Sequence, residues 1–160
     1  MLPIQTILYP TDFSPHAGPA LEFACALARD YGADLVLVYV RQPTTPVFGE
    51  FGAVPPEPLV PLETLKGRLR QLPPNTFTGR VTCHVREGNA AAEILALASE
   101  CGCDLIVMGS HGRTGLGRLL MGSVAEHVVR KAPCAVLTVK ALIATQPVDR
   151  AAPVEQAASV

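Results

Sequence analysis

Two stretches of the chain, ADLVLVYV (33–40) and DLIVMG (104–109), are apolar almost without interruption. That pattern marks strands covered on both faces, as in a parallel sheet. IQTILYP (4–10) reads as a third buried strand and CAVLTVK (134–140) as the last one, while RVTCHVR (80–86) alternates enough to be an edge strand. Between the strands, apolar residues recur at helical spacing. Ala17, Leu21, Ala24, Cys25, Leu27 and Ala28 form one stripe running to about Asp30. Ser14 is placed to cap this helix, Pro15 suits its first turn and Gly32 closes it. A shorter helix is expected from about Leu62 to Leu72, and a third, using Ile94, Leu95, Leu97 and Ala98, behind Asn89 as its cap.

Strand–helix alternation of this kind predicts a single doubly wound α/β domain. Ligands in such sheets bind beyond the carboxyl ends of the strands, where strand order reverses. Three places satisfy that rule: YPTD after the first strand, VYVRQ after the second and MGSHG after the fourth. From Gln42 to Pro61 the chain carries six prolines and two glycines and reads as a long loop, functional or loosely ordered. The tail from Ala141 is rich in Ala, Pro, Val and Gln, loses its periodicity in the second half, and is expected to be mobile.

Composition narrows the partners. The chain has 160 residues, 49% hydrophobic and 17% charged, with a net charge of -1. Near-neutral charge gives no electrostatic case for duplex nucleic acid or an anionic membrane as partner. No apolar run approaches the ~20 residues that span a bilayer, and the N-terminus lacks the features of a signal peptide. Five cysteines, an odd count and mostly inside apolar patterns, point to free thiols in a reducing, cytoplasmic setting. Cys101-x-Cys103 has no second pair at zinc spacing.

The chemistry concentrates in GSHGRTGLGRLLMGSVAEHVVRK (109–131), where a core strand gives way to closely spaced glycines and then to an apolar helical pattern. Ser123-Val-Ala-Glu126 has the form of a capping box, with Val124 and Val128 on the buried side of the helix and Val129 as a further candidate. Gly109, Gly112 and Gly122 then bracket a loop that ends at a helix N-terminus, and Arg113 and Arg118 add positive charge. Free N–H groups and the helix dipole suit an anion there. The alternative is a helix beginning at Leu116, in which case the glycines only make a tight turn. Two better-known phosphate loops fail. Gly112-x-x-x-x-Gly117 is followed by Arg118-Leu119 rather than Lys and Ser or Thr, and no Gly-x-Gly-x-x-Gly follows the first strand.

Gly109-x-x-Gly112, nine residues, then Gly122-Ser123 resembles the nucleotide-binding motif of the ATP-binding branch of the universal stress protein family. ILYPTDFS, LVLVYV and VMGSHGRTGL…LMGSVAEHVVRKAPCAVLTVK extend the resemblance over most of residues 2–140. It implies a five-stranded parallel sheet in the order 3-2-1-4-5, with helices on both faces, over residues 1–140. It also implies that Asp12, flanked by Pro10 and Thr11, faces the nucleoside, that the Val40 backbone meets adenine, and that Met108 lies beside base or ribose. Gly109, Gly112, Arg113, Gly122, Ser123 and Val124 would surround the phosphates of ATP. Magnesium or manganese would be held mainly by phosphate oxygens and water.

Each assignment has a plainer competitor. Asp12 can end a strand in a side-chain turn, His111 reads as a solvated loop histidine, and Tyr39 reads as packing rather than stacking. His16, His84 and His127 read as surface residues. No catalytic carboxylate accompanies the loop arginines, so the expected role is a nucleotide-dependent regulatory module with an unidentified protein partner. A slow ATPase timer and a structural dimer with an unoccupied site are the alternatives. The resemblance further implies a homodimer through antiparallel pairing of the Cys134–Lys140 strand with its copy, Val136, Thr138 and Lys140 lying on one face and Ala135, Leu137 and Val139 on the other.

Overall fold

The computed structural model describes residues 3–43, 47–49, 52–54, 59–111 and 121–140. β1 (Thr6–Thr11) leads through a 3-10 turn (Pro15–Ala17) into α1 (Gly18–Tyr31) and then β2 (Asp34–Arg41). Two short strands follow, β3 (Val47–Gly49) and β4 (Gly52–Val54), then α2 (Leu62–Arg70), β5 (Val81–Glu87), α3 (Ala90–Glu100), β6 (Leu105–Gly109), α4 (Ser123–Lys131) and β7 (Ala135–Val139). The main sheet has five strands in the order β5-β2-β1-β6-β7, every neighbouring pair parallel. Counting only its own strands, that is the order 3-2-1-4-5.

The alternation within each strand divides the core into two. Ile7, Tyr9, Leu35, Leu37, Leu105 and Val107 point to one side, where they meet Ala20, Leu21, Ala24, Cys25 and Ala28 of α1 and Leu69 of α2. Leu8, Val36, Val38, Ile106 and Met108 point to the other, against Ile94, Leu97 and Ala98 of α3 and Ala125 and Val128 of α4. Both faces are therefore covered, which is why these strands are continuously apolar. The Tyr9 hydroxyl is a polar group inside this core. It donates to the Ala17 carbonyl at 2.8 Å, and burial pushes its pKa up to about 12.

Helix ends follow the sequence in part. Gly32 takes the left-handed torsions that close α1 (φ 66°), and Asn89 caps α3 by accepting from the Ala92 N–H at 3.0 Å. Ser14 does not cap through its hydroxyl. The chain turns first through the 3-10 segment, with the Ala17 N–H bonded to the Ser14 carbonyl, and the Ser14 Oγ is left buried without a partner among the described residues. The expected loop from Gln42 to Pro61 contains an antiparallel β3–β4 ladder, Val47 pairing with Val54. Its strands fall between Pro46 and Pro55, so the prolines bound the ladder without interrupting it. The tail from Ala141 lies outside the described residues.

Asn89→Ala removes the side-chain partner of a first-turn N–H in α3 and should lower stability by about 1 kcal/mol. Urea denaturation would show this as a lower midpoint with an unchanged slope.

Candidate functional site: the crevice where strand order reverses

β1 pairs with β2 along its whole length, from Thr6↔Asp34 to Thr11↔Tyr39, but bridges β6 only at Ile7↔Leu105 and Leu8↔Ile106. Beyond Leu8 the two central strands are no longer bridged. Successive strand residues direct their N–H and C=O groups to opposite neighbours. The Asp104 N–H bonds to the Thr6 carbonyl, so Thr6, Leu8 and Pro10 face β6. Pro10 has no N–H to offer there, and the absence of a donor coincides with the end of the bridging. A crevice at the carboxyl ends of β1 and β6 follows, at the point where strand order reverses.

The wall from β2 is built by the same alternation. The Asp34 N–H bonds to Gln5 of β1, whereas the Leu35 N–H bonds to Arg80 and the Arg41 carbonyl accepts from Gly88 on the β5 side. Val40 therefore turns its backbone groups toward β1. The next donor that could extend the ladder onto the Val40 carbonyl is the Phe13 N–H, but it bonds instead to Thr11 Oγ1 at 3.0 Å. Phe13 has φ 60°, a left-handed value that is costly for a bulky residue. Its ring lies 4.8 Å from that of Tyr39, and the Arg68 guanidinium sits over it at 4.1 Å. These contacts hold the turn that diverts the ladder. Tyr39 thus packs, as expected.

Asp12 sits on this turn, half-buried, with its Oδ1 accepting from the Ser14 N–H at 2.9 Å. The side-chain turn proposed as the alternative is present, and one carboxylate oxygen is committed to it. Thr11 is buried and Pro10 lies inside the sheet.

The opposite wall comes from β6 and α4. Met108 is buried against the α3/α4 side of the core, with Val40, Met121 and Val124 packed on the same cluster. A side chain at Gly109 would meet the His111 carbonyl at 3.3 Å and the His16 carbonyl at 3.4 Å, so this glycine lets β6 approach the turn after β1. Ser110 is buried, its N–H bonded to the Val139 carbonyl and its carbonyl accepting from the Gly122 N–H at 2.8 Å. One residue thereby ties the end of β7 to the start of α4. His111 lies in the loop after β6, half-buried, with its Nδ1 3.0 Å from the Ser110 Oγ.

The expected capping box is not formed. α4 starts at Ser123, making Gly122 the N-cap residue, which brings no side-chain cap to the first turn. The Glu126 N–H bonds to the Gly122 carbonyl, and the Glu126 carboxylate pairs with Arg130 at 3.4 Å rather than reaching back. Gly122 has φ -74° and ψ 157°, torsions any residue adopts, so conformation alone does not demand a glycine there. Ser123 is exposed and Val124 half-buried, while Val129 is exposed rather than core. Gly112 and Arg113 lie outside the described residues, as does the alternative start at Leu116.

The structure thus brings Pro10, Thr11, Asp12, Val40, Met108, Gly109, Gly122, Ser123 and Val124 to one end of the sheet. Sequence reasoning missed Phe13, Ser14 and Ser110, whose roles depend on torsion and backbone pairing that residue types do not announce. Among the described residues, no group of three or more His, Cys, Asp or Glu side chains is placed to hold a metal ion.

The fold is an open, parallel α/β domain whose strand order reverses between β1 and β6. The family model described as the universal stress protein family matches residues 3–140, and the chain belongs to that family. Universal stress protein MJ0531 of Methanocaldococcus jannaschii is 36% identical over 140 residues, covering 85% of this chain and 82% of its own. Universal stress protein UspA from Lactobacillus plantarum superposes with a TM-score of 0.68 at 22% identity, over 88% of this chain and 100% of its own. A universal stress protein in complex with cAMP gives 0.66 at 22% identity, covering 87% and 98%. The Archaeoglobus fulgidus universal stress protein in complex with dAMP gives 0.55 at 20% identity, covering 87% and 100%.

Asp12→Asn keeps the acceptor for the Ser14 N–H, whereas Asp12→Ala removes it. The asparagine variant should melt within ~1–2 °C of the parent, and the alanine variant should lose about 1 kcal/mol through the opened turn. Calorimetric melting of both proteins measures the difference.

Proposed function

We propose that this chain binds ATP in the crevice and serves as a nucleotide-dependent regulatory module rather than as an enzyme. The observation that carries the reading is the first turn of α4, which opens beside the crevice on a glycine with no side-chain cap. First-turn N–H groups and the dipole favour a phosphate, with Gly122, Ser123 and Val124 nearest it and Gly109, Gly112 and Arg113 completing the surround. The Ser123 hydroxyl, exposed and not engaged as a cap, is suited to donate to a phosphate oxygen. Family members complexed with cAMP and dAMP support an adenine nucleotide as the ligand class.

At the other end of the crevice, the Val40 carbonyl is turned toward β1 where the ladder is diverted. An acceptor in that position suits the exocyclic amino group of adenine and opposes the carbonyl that guanine carries in its place. Asp12 and Ser14, on the turn after β1, supply polar groups for the ribose, with Pro10, Thr11 and Met108 around them. A divalent cation, magnesium or manganese, fits only as a partner of the phosphates, because the described residues gather no carboxylate cluster for it. Slow hydrolysis as a timer is the second reading; the carboxylate that α4 itself carries, Glu126, is ion-paired with Arg130. The module acts in the cytoplasm, with ATP altering its assembly or its choice of protein partner.

Assembly follows from β7. It is an edge strand of the sheet, with Leu137 and Val139 packed on the α1 side and Val136 on the α3/α4 side. An apolar edge is a template for pairing, and a second copy of the Cys134–Lys140 strand, antiparallel to the first, would give an isologous dimer.

Isothermal calorimetry should show ATP binding at least ~10-fold tighter than GTP, a difference of about 1.4 kcal/mol. Gly122→Val should fold with an ordinary melting temperature yet lose ATP binding more completely than Arg113→Ala, since branched atoms would occupy the phosphate's approach while an arginine contributes a screened charge. Equal affinities for the two nucleotides, or normal ATP binding by the valine variant, would overturn the assignment. Light scattering at micromolar concentration should return the mass of a dimer; a monomer would exclude pairing through β7.

A further inference from the structure

We propose that Cys103 and Cys134 form a reversible disulfide that closes a covalent loop around β6 and α4. Their Sγ atoms lie 3.5 Å apart across 31 positions of sequence. Cys134 immediately precedes Ala135 of β7, which is in register with Leu105 of β6, and Cys103 lies two residues before Leu105, so the cysteines sit one position out of register at the starts of adjacent strands. Small side-chain rotations would close the remaining gap between the sulfurs to bonding distance. Both thiols sit on the same side of the sheet, in the cluster with Ile106, Ala98 and Val128. Cys103 is buried and Cys134 half-buried, so Cys134 is the sulfur that a reagent meets first. Cys134 precedes the first residue of β7, and its sulfur turns to Cys103 beneath the sheet rather than along the strand edge.

The oxidant class is a low-molecular-weight disulfide such as oxidised glutathione. Cys134 loses its proton, and its thiolate attacks one glutathione sulfur. A protein–glutathione S–S bond forms as the glutathione S–S bond breaks, and the released thiolate takes up the proton. The Cys103 thiolate then attacks the Cys134 sulfur and displaces the second glutathione. Two protein thiols lose two electrons and two protons, and one oxidised glutathione becomes two reduced ones. Burial pushes both thiol pKa values up, so little thiolate is present at neutral pH and the bridge follows the redox poise slowly.

The consequence is a staple on the segment from Asp104 to Pro133, which contains β6, α4 and the chain between them. Closing a loop of this length restricts the unfolded chain and should raise the melting midpoint by roughly 10 °C. The test equilibrates the full chain in glutathione buffers of increasing oxidation, quenches free thiols, and maps cross-linked peptides by mass spectrometry. Cys101→Ala serves in parallel, because Cys101 shares a tryptic peptide with Cys103. The expected result is a Cys103–Cys134 peptide two hydrogens lighter than its reduced parts, formed equally in the Cys101→Ala protein. The raised midpoint should be abolished by dithiothreitol and absent in Cys134→Ser. Three results would each overturn the proposal: a persistent mixed disulfide at Cys134, a Cys134–Cys134 link between two chains, or a bridge that leaves the midpoint unchanged.

Discussion

A parallel sheet must be covered on both faces, and in this chain that requirement governs everything else. β1 lies in the middle with Ile7 and Tyr9 on one face and Leu8 on the other, all fully buried. The crossover through α1 carries the chain along one face to β2, and the crossover through α3 carries it along the opposite face to β6. α1, which follows β1, packs on one face and α4, which follows β6, packs on the other, so the carboxyl ends of β1 and β6 flank the reversal of strand order. The crevice is a by-product of covering the sheet, and the chemistry of the site is added to it by a few local departures from regular pairing.

Those departures share a physical theme, the withholding of a backbone partner. Pro10 lacks the N–H that would face β6, and Phe13 turns its N–H to Thr11 Oγ1 instead of toward β2. Gly122 brings no capping side chain to α4. Left-handed torsion at Phe13 costs ~1 kcal/mol or more, and the Tyr39 ring, the Arg68 guanidinium and the Thr11 hydroxyl hold it in place. Among the described residues, the Ser14 Oγ is the buried side-chain atom left without a partner on this turn. Ser110 keeps the start of α4 in register with the sheet, since its backbone links β7 to the start of α4.

Much of this was legible before any coordinates. Continuous apolar runs reveal doubly covered strands, and the Gly109 and Gly122-Ser123 spacing marks where β6 ends and α4 begins. What remained hidden is geometric. A serine followed three residues later by glutamate reads as a capping box, yet glycine serves equally at an N-cap, and the choice depends on the loop's approach. The Phe13 torsion has no residue-type signature, since the conformation is unusual for an aromatic residue. The β3–β4 ladder was masked by the prolines on either side of it. Cysteines 31 positions apart give no hint of contact until β6 and β7 lie side by side and the two sulfurs turn to the same face of the sheet.

The central claim is that withheld backbone groups at the two ends of the crevice receive one adenine nucleotide, phosphates at α4 and base at Val40. Titrating isotope-labelled protein with ATP and following its amide resonances tests both ends at once. The account predicts the largest shifts at Ser123 and Val124 and at the turn from Asp12 to Ser14, with Val40 and Arg41 following, and little change at the distant starts of β6 and β7. Shifts confined to another surface, or none at millimolar ATP, would contradict it.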